Sequence, residues 1–254
     1  MIKPLPKKII LGAAFCFQGL FMMNAQTSAQ DISANLSQDS RVEQFTMEPN
    51  RGTPSLIKLK SSGETLTLGN TPAFLRSVLG MGQETSFEIT ATTSSNGIQV
   101  DKFQQFTNGI KVEHGVFKAM SKKGIVFGFT AEYYSLPASI TSTPSLSESA
   151  ALQKALDHVG ATSYAWDYIQ SLGNSPEITA AYNEVYPKGE LVFVDNYLTD
   201  IVDLTLAYKF NIYAAEPLSR ADIYVDAASG QVLLLDAIIK HIDKNHTKED
   251  IKKE

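Results

Sequence analysis

The pattern of apolar and polar residues divides the chain into two groups of short elements. The first group opens with a predicted helix from Thr71 to Gly80, in which Leu75, Val78 and Leu79 recur at helical spacing. Thr71 suits the N-cap, and Gly80 suits the left-handed residue at which helices commonly end. We therefore expect one compact amphipathic helix in this part of the chain.

Strands with a period of two follow this helix. Dipeptides that favour chain reversal separate them, namely Asn96-Gly97, Asn108-Gly109 and Lys123-Gly124. The predicted strands cover residues 86–93, 99–106, 111–120 and 125–134. A helix followed by an antiparallel meander is typical of one α+β module.

The second group begins after a stretch rich in Pro, Ser and Thr, which indicates a linker. Ser145 and Glu148 then have capping-box spacing, and Gly160 ends the predicted helix. Residues 161–177 are ambiguous. Further strands are predicted over 190–195, 204–212, 220–226 and 231–235, and the second of these alternates apolar and polar residues as a half-buried strand does.

These elements predict an α+β fold of two small modules, each a helix packed on an antiparallel sheet. The predicted division is a signal peptide at 1–25, a flexible leader at 26–45, a first domain at 46–135, a linker at 136–144, a second domain at 145–236, and a junction with a charged tail at 237–254.

The first 25 residues have the pattern of a secretory signal peptide. Three lysines precede an almost wholly apolar run at residues 9–23, and Ala25 or Ala29 offers a small residue for cleavage. The apolar run is short for a helix that spans a bilayer, which needs about 20 residues. An uncleaved anchor is the alternative. We expect a secreted or periplasmic protein.

Charge and cysteine content argue against nucleic-acid binding and against thiol chemistry. Removal of the signal would leave 19 basic and 27 acidic residues, a net charge of −8, which argues against nucleic-acid binding. The lone cysteine, Cys16, lies within the signal, so the secreted chain would have no disulfide, thiol nucleophile or thiolate metal site. We expect no cofactor and no metal ion.

Two motifs carry a resemblance to a known family. Residues 103–115, with Gln104-Gln105 before the Asn108-Gly109 reversal, are similar to the core of the FTP module found in pro-regions of secreted thermolysin- and fungalysin-like metallopeptidases. Thr107 stands where this family often has an aromatic residue. The segment 220–233 resembles the end of a PepSY module, which has a cystatin-like fold. An FTP-like domain followed by a PepSY-like domain is the order that this family uses.

The resemblance implies a pro-region that assists folding of a cognate zinc metallopeptidase catalytic domain and inhibits it. A junction threaded through the peptidase cleft would block substrate. The matching positions here are Asp236, Ala237, Ile238, Ile239, Lys240 and His241. The apolar members could enter a specificity pocket, or they could simply complete the last strand.

The chain has no His-Glu-x-x-His motif, which places two zinc-binding imidazoles four residues apart with a glutamate that activates water. We therefore expect no enzyme activity. The chain ends where the peptidase would begin, so it is either a truncated precursor or a free-standing pro-region-like protein. The alternative function is a stand-alone PepSY-type protein-binding module, secreted or in the cell envelope.

Other residues offer weaker chemistry. Glu113 and His114 are neighbours in a predicted strand, so their side chains should point to opposite faces, which argues against an acid–base pair. Asp222 and Asp226 should share one strand face, and Asp195, Asp200 and Asp203 are further candidates for a calcium site. None of them lies in a loop with the dense oxygen ligands that calcium sites use.

Overall fold

The computed structural model describes residues 28–137 and 139–239. The α-helices in this part are α1 Ala29–Gln38, α2 Thr71–Leu79, α3 Glu148–Val159, α4 Ala165–Ser171 and α5 Pro176–Val185. The strands are β1 Val42–Glu48, β2 Thr53–Leu59, β3 Leu66–Thr67, β4 Thr85–Ser95, β5 Ile98–Thr107, β6 Ile110–Lys122, β7 Ile125–Glu132, β8 Ser163–Tyr164, β9 Glu190–Asp195, β10 Leu204–Glu216, β11 Ser219–Asp226 and β12 Val232–Ile239. Within these residues, no helix combines the length and apolar character that a membrane span requires.

The strands form one sheet that is antiparallel except at a single described pairing. Its main path runs β1-β2-β7-β6-β9-β10-β11-β12, and β4 and β5 extend it on the other side of β6. The β6–β9 pair is parallel and joins the two halves of the molecule. The α+β prediction is confirmed, but the two predicted modules share a continuous sheet. Their boundary at residues 136–144 stays a prediction.

Each half of the sheet has its own apolar core. In the first core, α1 and α2 cover β2, β5, β6 and β7, and the rings of Phe74 and Phe129 stack with centroids 5.6 Å apart. In the second core, α3 and α4 cover β9, β10 and β11, with Trp166, Phe193 and Phe210 buried. Long-range burial of this kind, rather than helix propensity, supplies most of the stability of such short helices.

The prediction of a flexible leader at 26–45 is wrong for its described residues. They form α1 and the start of β1. Ser28 and Asp31 make a capping box, and Ile32 and Leu36 are fully buried in the first core. The sequence of α1 is mostly polar, and its apolar face consists of these two residues alone, so the hydrophobic pattern did not indicate a helix.

The N-caps of α2 and α3 both differ from the prediction. The helix α2 begins at Thr71 itself, with Asn70 at the N-cap, whereas Gly80 ends it in the left-handed conformation as predicted. The N-cap of α3 is Ser147, whose hydroxyl oxygen accepts a hydrogen bond from the Ala150 amide at 3.3 Å. The capping box predicted from Ser145 is therefore wrong.

The stretch after β7 is packed rather than free. Leu136 is buried in the second core and Ile140 packs against it, so the predicted linker fixes one half of the molecule on the other. The ambiguous stretch 161–177 contains β8, α4 and the start of α5. The predicted signal peptide and the charged tail from Lys240 lie outside the described residues.

Candidate functional site

The strand β6 changes partners at a wide bulge. Gln104 pairs with Val116 and Phe106 pairs with Lys111, so the four residues 112–115 of β6 stand opposite Gln105 alone. Beyond the bulge, β6 pairs with β7. Before the bulge, it pairs with β9 through Lys111 and Val112. The bulge thus lets one strand belong to both halves of the sheet.

The side chain of Gln104 fills this bulge. Its amide nitrogen donates to the carbonyl oxygens of Val112 at 2.6 Å, of Gly115 at 2.9 Å and of Gln105 at 3.2 Å. Gln104 is buried, and residues 112–115 have no ladder partner on β5, so the carbonyls of Val112 and Gly115 lack a strand partner on that side. Because an unpaired buried carbonyl is costly, this amide stabilises the irregular backbone.

Gln105 and Gly115 complete the packing of the bulge. The Gln105 amide nitrogen donates to the Tyr134 carbonyl oxygen at 2.7 Å, and the Tyr134 amide donates back to Gln105 Oε1 at 3.2 Å. A Cβ at Gly115 would lie 2.9 Å from Gln105 Oε1 and 3.1 Å from Val112 Cβ. The two glutamines of the sequence motif therefore support structure, and neither is placed for catalysis.

A row of charged and polar groups crosses from β6 to β11 on the sheet face opposite α3. Glu113 accepts from Lys209 at 3.3 Å, and its other oxygen lies 3.0 Å from Lys111 Nζ. Lys209 also lies 3.0 Å from Asp222, which accepts a hydrogen bond from Asn211. Through the contact between Glu113 and Lys209, this row connects the bulge of β6 to β10 in the second half of the molecule.

The pKa values of this row follow from burial and pairing. Burial raises the pKa of Glu113, but the ammonium groups of Lys111 and Lys209 outweigh burial and hold it below the usual range. Burial alone would lower the pKa of Lys209, whereas Asp222 and Glu113 raise it above its ordinary value. Glu113 and Lys209 are therefore both charged at neutral pH, and their ion pair joins β6 to β10.

A polar groove of about 420 Å³ lies on the surface beside the bulge. It crosses β2, β5, β6 and β7, and is lined by Ser55, Lys102, Gln104, Lys111, Glu113, His114, Val116, Lys118, Thr130, Ala131 and Glu132. The expectation that Glu113 and His114 point to opposite faces assumes regular strand alternation and stays a prediction. His114 has a φ of 62°, which breaks the strand alternation, and both residues line this groove.

The predicted junction lies on an edge strand. Asp236, Ala237, Ile238 and Ile239 belong to β12, which pairs with β11 and has no partner on its other side among the described residues. Ile238 is 53% exposed and Ile239 37% exposed. Lys240 and His241, the other predicted junction residues, lie outside the described residues.

One segment of the chain matches a known protein-family model. Residues 87–133 match the model described as Fungalysin/Thermolysin Propeptide Motif. The chain carries an FTP motif. The FTP motif runs from β4 to the end of β7, so it includes the whole bulge together with Gln104 and Gln105.

The other comparisons add little to this result. A solved structure of the Bacillus megaterium YpeB C-terminal domain is similar at 13% sequence identity, over 84% of this chain and 96% of that chain, with a TM-score of 0.33. No curated protein matches the chain.

The remaining candidate residues have structural partners. Asp226 accepts from the amides of Ala228 and Ser229 and thereby closes the turn before β12. Asp195 accepts from the Asp203 amide across the loop between β9 and β10. Within residues 28–137 and 139–239, no three His, Cys, Asp or Glu side chains converge as a metal site would require.

Sequence reasoning found the glutamine pair of the FTP motif but missed what it does. The partners of Gln105 and Glu113 lie 29 and 96 positions away along the chain, at Tyr134 and Lys209. Local patterns carry no information about such contacts. A local signal was the adjacent polar pair Gln104-Gln105 between Phe103 and Phe106 in the predicted strand.

Proposed function

We propose that this protein is a non-catalytic pro-region that binds a secreted, thermolysin-like zinc metallopeptidase, assists its folding and inhibits it. The single observation that carries the proposal is the FTP motif at residues 87–133, which is named for the propeptides of such peptidases. The proposal covers a chain that acts alone and one that forms part of a longer precursor.

The lack of a peptidase motif in the sequence supports a binding role. The four histidines are His114, His158, His241 and His246, and no two of them have the spacing of His-Glu-x-x-His. A folded domain that binds only the native form of a peptidase stabilises that form by mass action. Neither assistance of peptidase folding nor inhibition of the peptidase needs a reactive group on this chain.

The strand arrangement in the second half of the molecule supports a PepSY-like domain that follows the FTP motif in the same chain. The strands β10, β11 and β12 form an antiparallel unit, and the residues that resemble a PepSY module run from Arg220 to Leu233 along β11, its turn and β12. We assign this half to residues 145–236. The signal-like N-terminus supports a secreted or periplasmic location.

We propose residues 236–241, which begin within β12, as the contact with the peptidase. An edge strand offers unpaired backbone donors and acceptors to a strand of another protein. Leu235 and Ile238 are 46% and 53% exposed, so this edge also presents apolar side chains that a partner could bury. Folded proteins usually protect such edges, which supports a partner at this strand.

The test is a peptidase assay in trans. The purified full chain is added in equimolar amount to a zinc peptidase that has His-Glu-x-x-His and is secreted by the same organism. We expect peptide hydrolysis to fall at least to about a tenth, because most of the peptidase would be held in the complex. Unchanged hydrolysis, together with unchanged recovery of active peptidase after refolding, would refute the proposal and favour a binding module unrelated to proteolysis.

A further inference from the structure

Two lysines face each other across neighbouring strands of the FTP motif. Lys102 on β5 is the direct partner of Lys118 on β6, and both side chains are exposed on the groove. Like charges directly opposite in an antiparallel pair destabilise a sheet. Among the described residues, no carboxylate lies within 4.0 Å of either ammonium group. Other lysines and arginines of the same residues do form ion pairs at that distance.

The carboxylates of the same groove have other partners. Glu113 is held by Lys111 and Lys209. Glu132 accepts a hydrogen bond from the Tyr134 hydroxyl at 3.1 Å and lies 3.9 Å from Arg51. The groove therefore keeps a pair of uncompensated positive charges, although the chain as a whole is negative.

We propose that this groove binds an extended, acidic segment of a partner protein, in which two carboxylates contact Lys102 and Lys118. Four strands about 4.8 Å apart give the groove a width of about 14 Å, which is the length of about four extended residues. Carboxylates two positions apart on an extended chain share one face at about 7 Å. The expected recognition element is thus Glu-x-Glu, or the same spacing with Asp.

The inference deepens the proposed function, because it names the chemistry of a second contact on the peptidase. It rests on that function only for the source of the segment. The test uses a peptide in place of the peptidase. A negative result would therefore leave the inhibition assay intact, and a failed inhibition assay would leave the peptide result intact.

The experiment measures binding of the acetylated, amidated pentapeptide Thr-Glu-Thr-Glu-Thr to the full chain by calorimetry. We expect binding that weakens about tenfold when NaCl is raised from about 50 mM to about 500 mM. The double variant Lys102→Gln/Lys118→Gln should lose at least about tenfold in affinity. The peptide Thr-Gln-Thr-Gln-Thr should not bind.

The matched control is Lys122→Gln/Lys154→Gln, which removes the same charge from two other exposed lysines and should bind within about twofold of the unchanged chain. Circular dichroism checks that each variant is folded. Equal losses in both double variants would overturn the inference, since net charge alone would then explain binding. Binding of the glutamine peptide, or of inorganic phosphate with equal affinity, would also overturn it.

Discussion

The side-chain amide of Gln105 forms two hydrogen bonds with the backbone of Tyr134, one to its carbonyl oxygen at 2.7 Å and one from its amide at 3.2 Å. Both residues are buried. Gln105 sits opposite the bulge of β6, and Tyr134 is where the chain leaves the FTP motif for the second core. This pair therefore couples the shape of the bulge to the placement of the two halves.

Replacing Gln105→Leu should lower the free energy of unfolding by about 3 kcal/mol. The variant keeps the volume of the side chain but leaves two buried backbone groups of Tyr134 unpaired, each at a cost of about 1–3 kcal/mol. Urea unfolding followed by circular dichroism measures the change. The control Gln153→Leu, at an exposed position on α3, should stay within about 0.5 kcal/mol; equal effects would contradict the assigned role of Gln105.

Replacing Gly115→Ala should destabilise the protein by about 1–3 kcal/mol. The added methyl group would meet Gln105 and Val112 at 2.9–3.1 Å, so the bulge must open to admit it. The comparison variant is Gly69→Ala, because a Cβ at Gly69 has nothing within 4 Å. A thermal unfolding midpoint that drops only for Gly115→Ala is the expected result, and equal midpoints would show that the close approach is unimportant.

Glu113 should make stability depend on pH in the acid range. Its folded pKa lies below the ordinary value of 4.5, so its contribution is complete above that pH and is lost as the pH falls through the folded pKa. Glu113→Gln should therefore cost about 1–2 kcal/mol near neutral pH. The gap between variant and unchanged protein should shrink below about pH 4.

The difference between the two proteins is the quantity to measure, by urea unfolding across the acid range. Other carboxylates, such as Asp39, whose pKa a hydrogen bond from Arg41 lowers, contribute equally to both proteins and cancel. A gap that stays constant or widens on acidification would show that the ion pairs with Lys111 and Lys209 do not stabilise the fold.

Sequence reasoning succeeded where local chemistry decides the structure. Gly80 ends α2 in the left-handed conformation, and the reversals at Asn96, Asn108 and Lys123 all have positive φ, as the turn residues predicted. The same reasoning missed α1, whose core contact consists of Ile32 and Leu36 alone. Two apolar residues in a polar segment are too weak a signal until the opposing core is known.

The candidate site was less predictable for a related reason. The bulge lies where β6 changes its partner from β9 to β7, and Glu113 contacts Lys209 only in the folded sheet. The glutamine pair was recognisable as part of a motif, but its hydrogen bonds to Val112, Gly115 and Tyr134 depend on that three-dimensional arrangement. The parallel β6–β9 pairing joins distant segments that no local pattern connects.

The apolar edge of β12 can be tested without knowledge of the complex. Ile238→Ser/Ile239→Ser should leave the fold stable, because these side chains are 53% and 37% exposed, but should weaken inhibition of the peptidase at least about tenfold. Ile89→Ser/Ile98→Ser is closely matched in exposure, at 55% and 39%, and lies on β4 and β5. Equal inhibition by both variants would place the contact elsewhere.

The most direct test of the proposed function is calorimetric titration of the full chain into the purified catalytic domain of the zinc peptidase. We expect a one-to-one complex with a dissociation constant below about 1 μM, together with a negative heat-capacity change from apolar burial. Absence of a complex at concentrations of about 100 μM would contradict it, because a pro-region must hold its peptidase to assist or inhibit it.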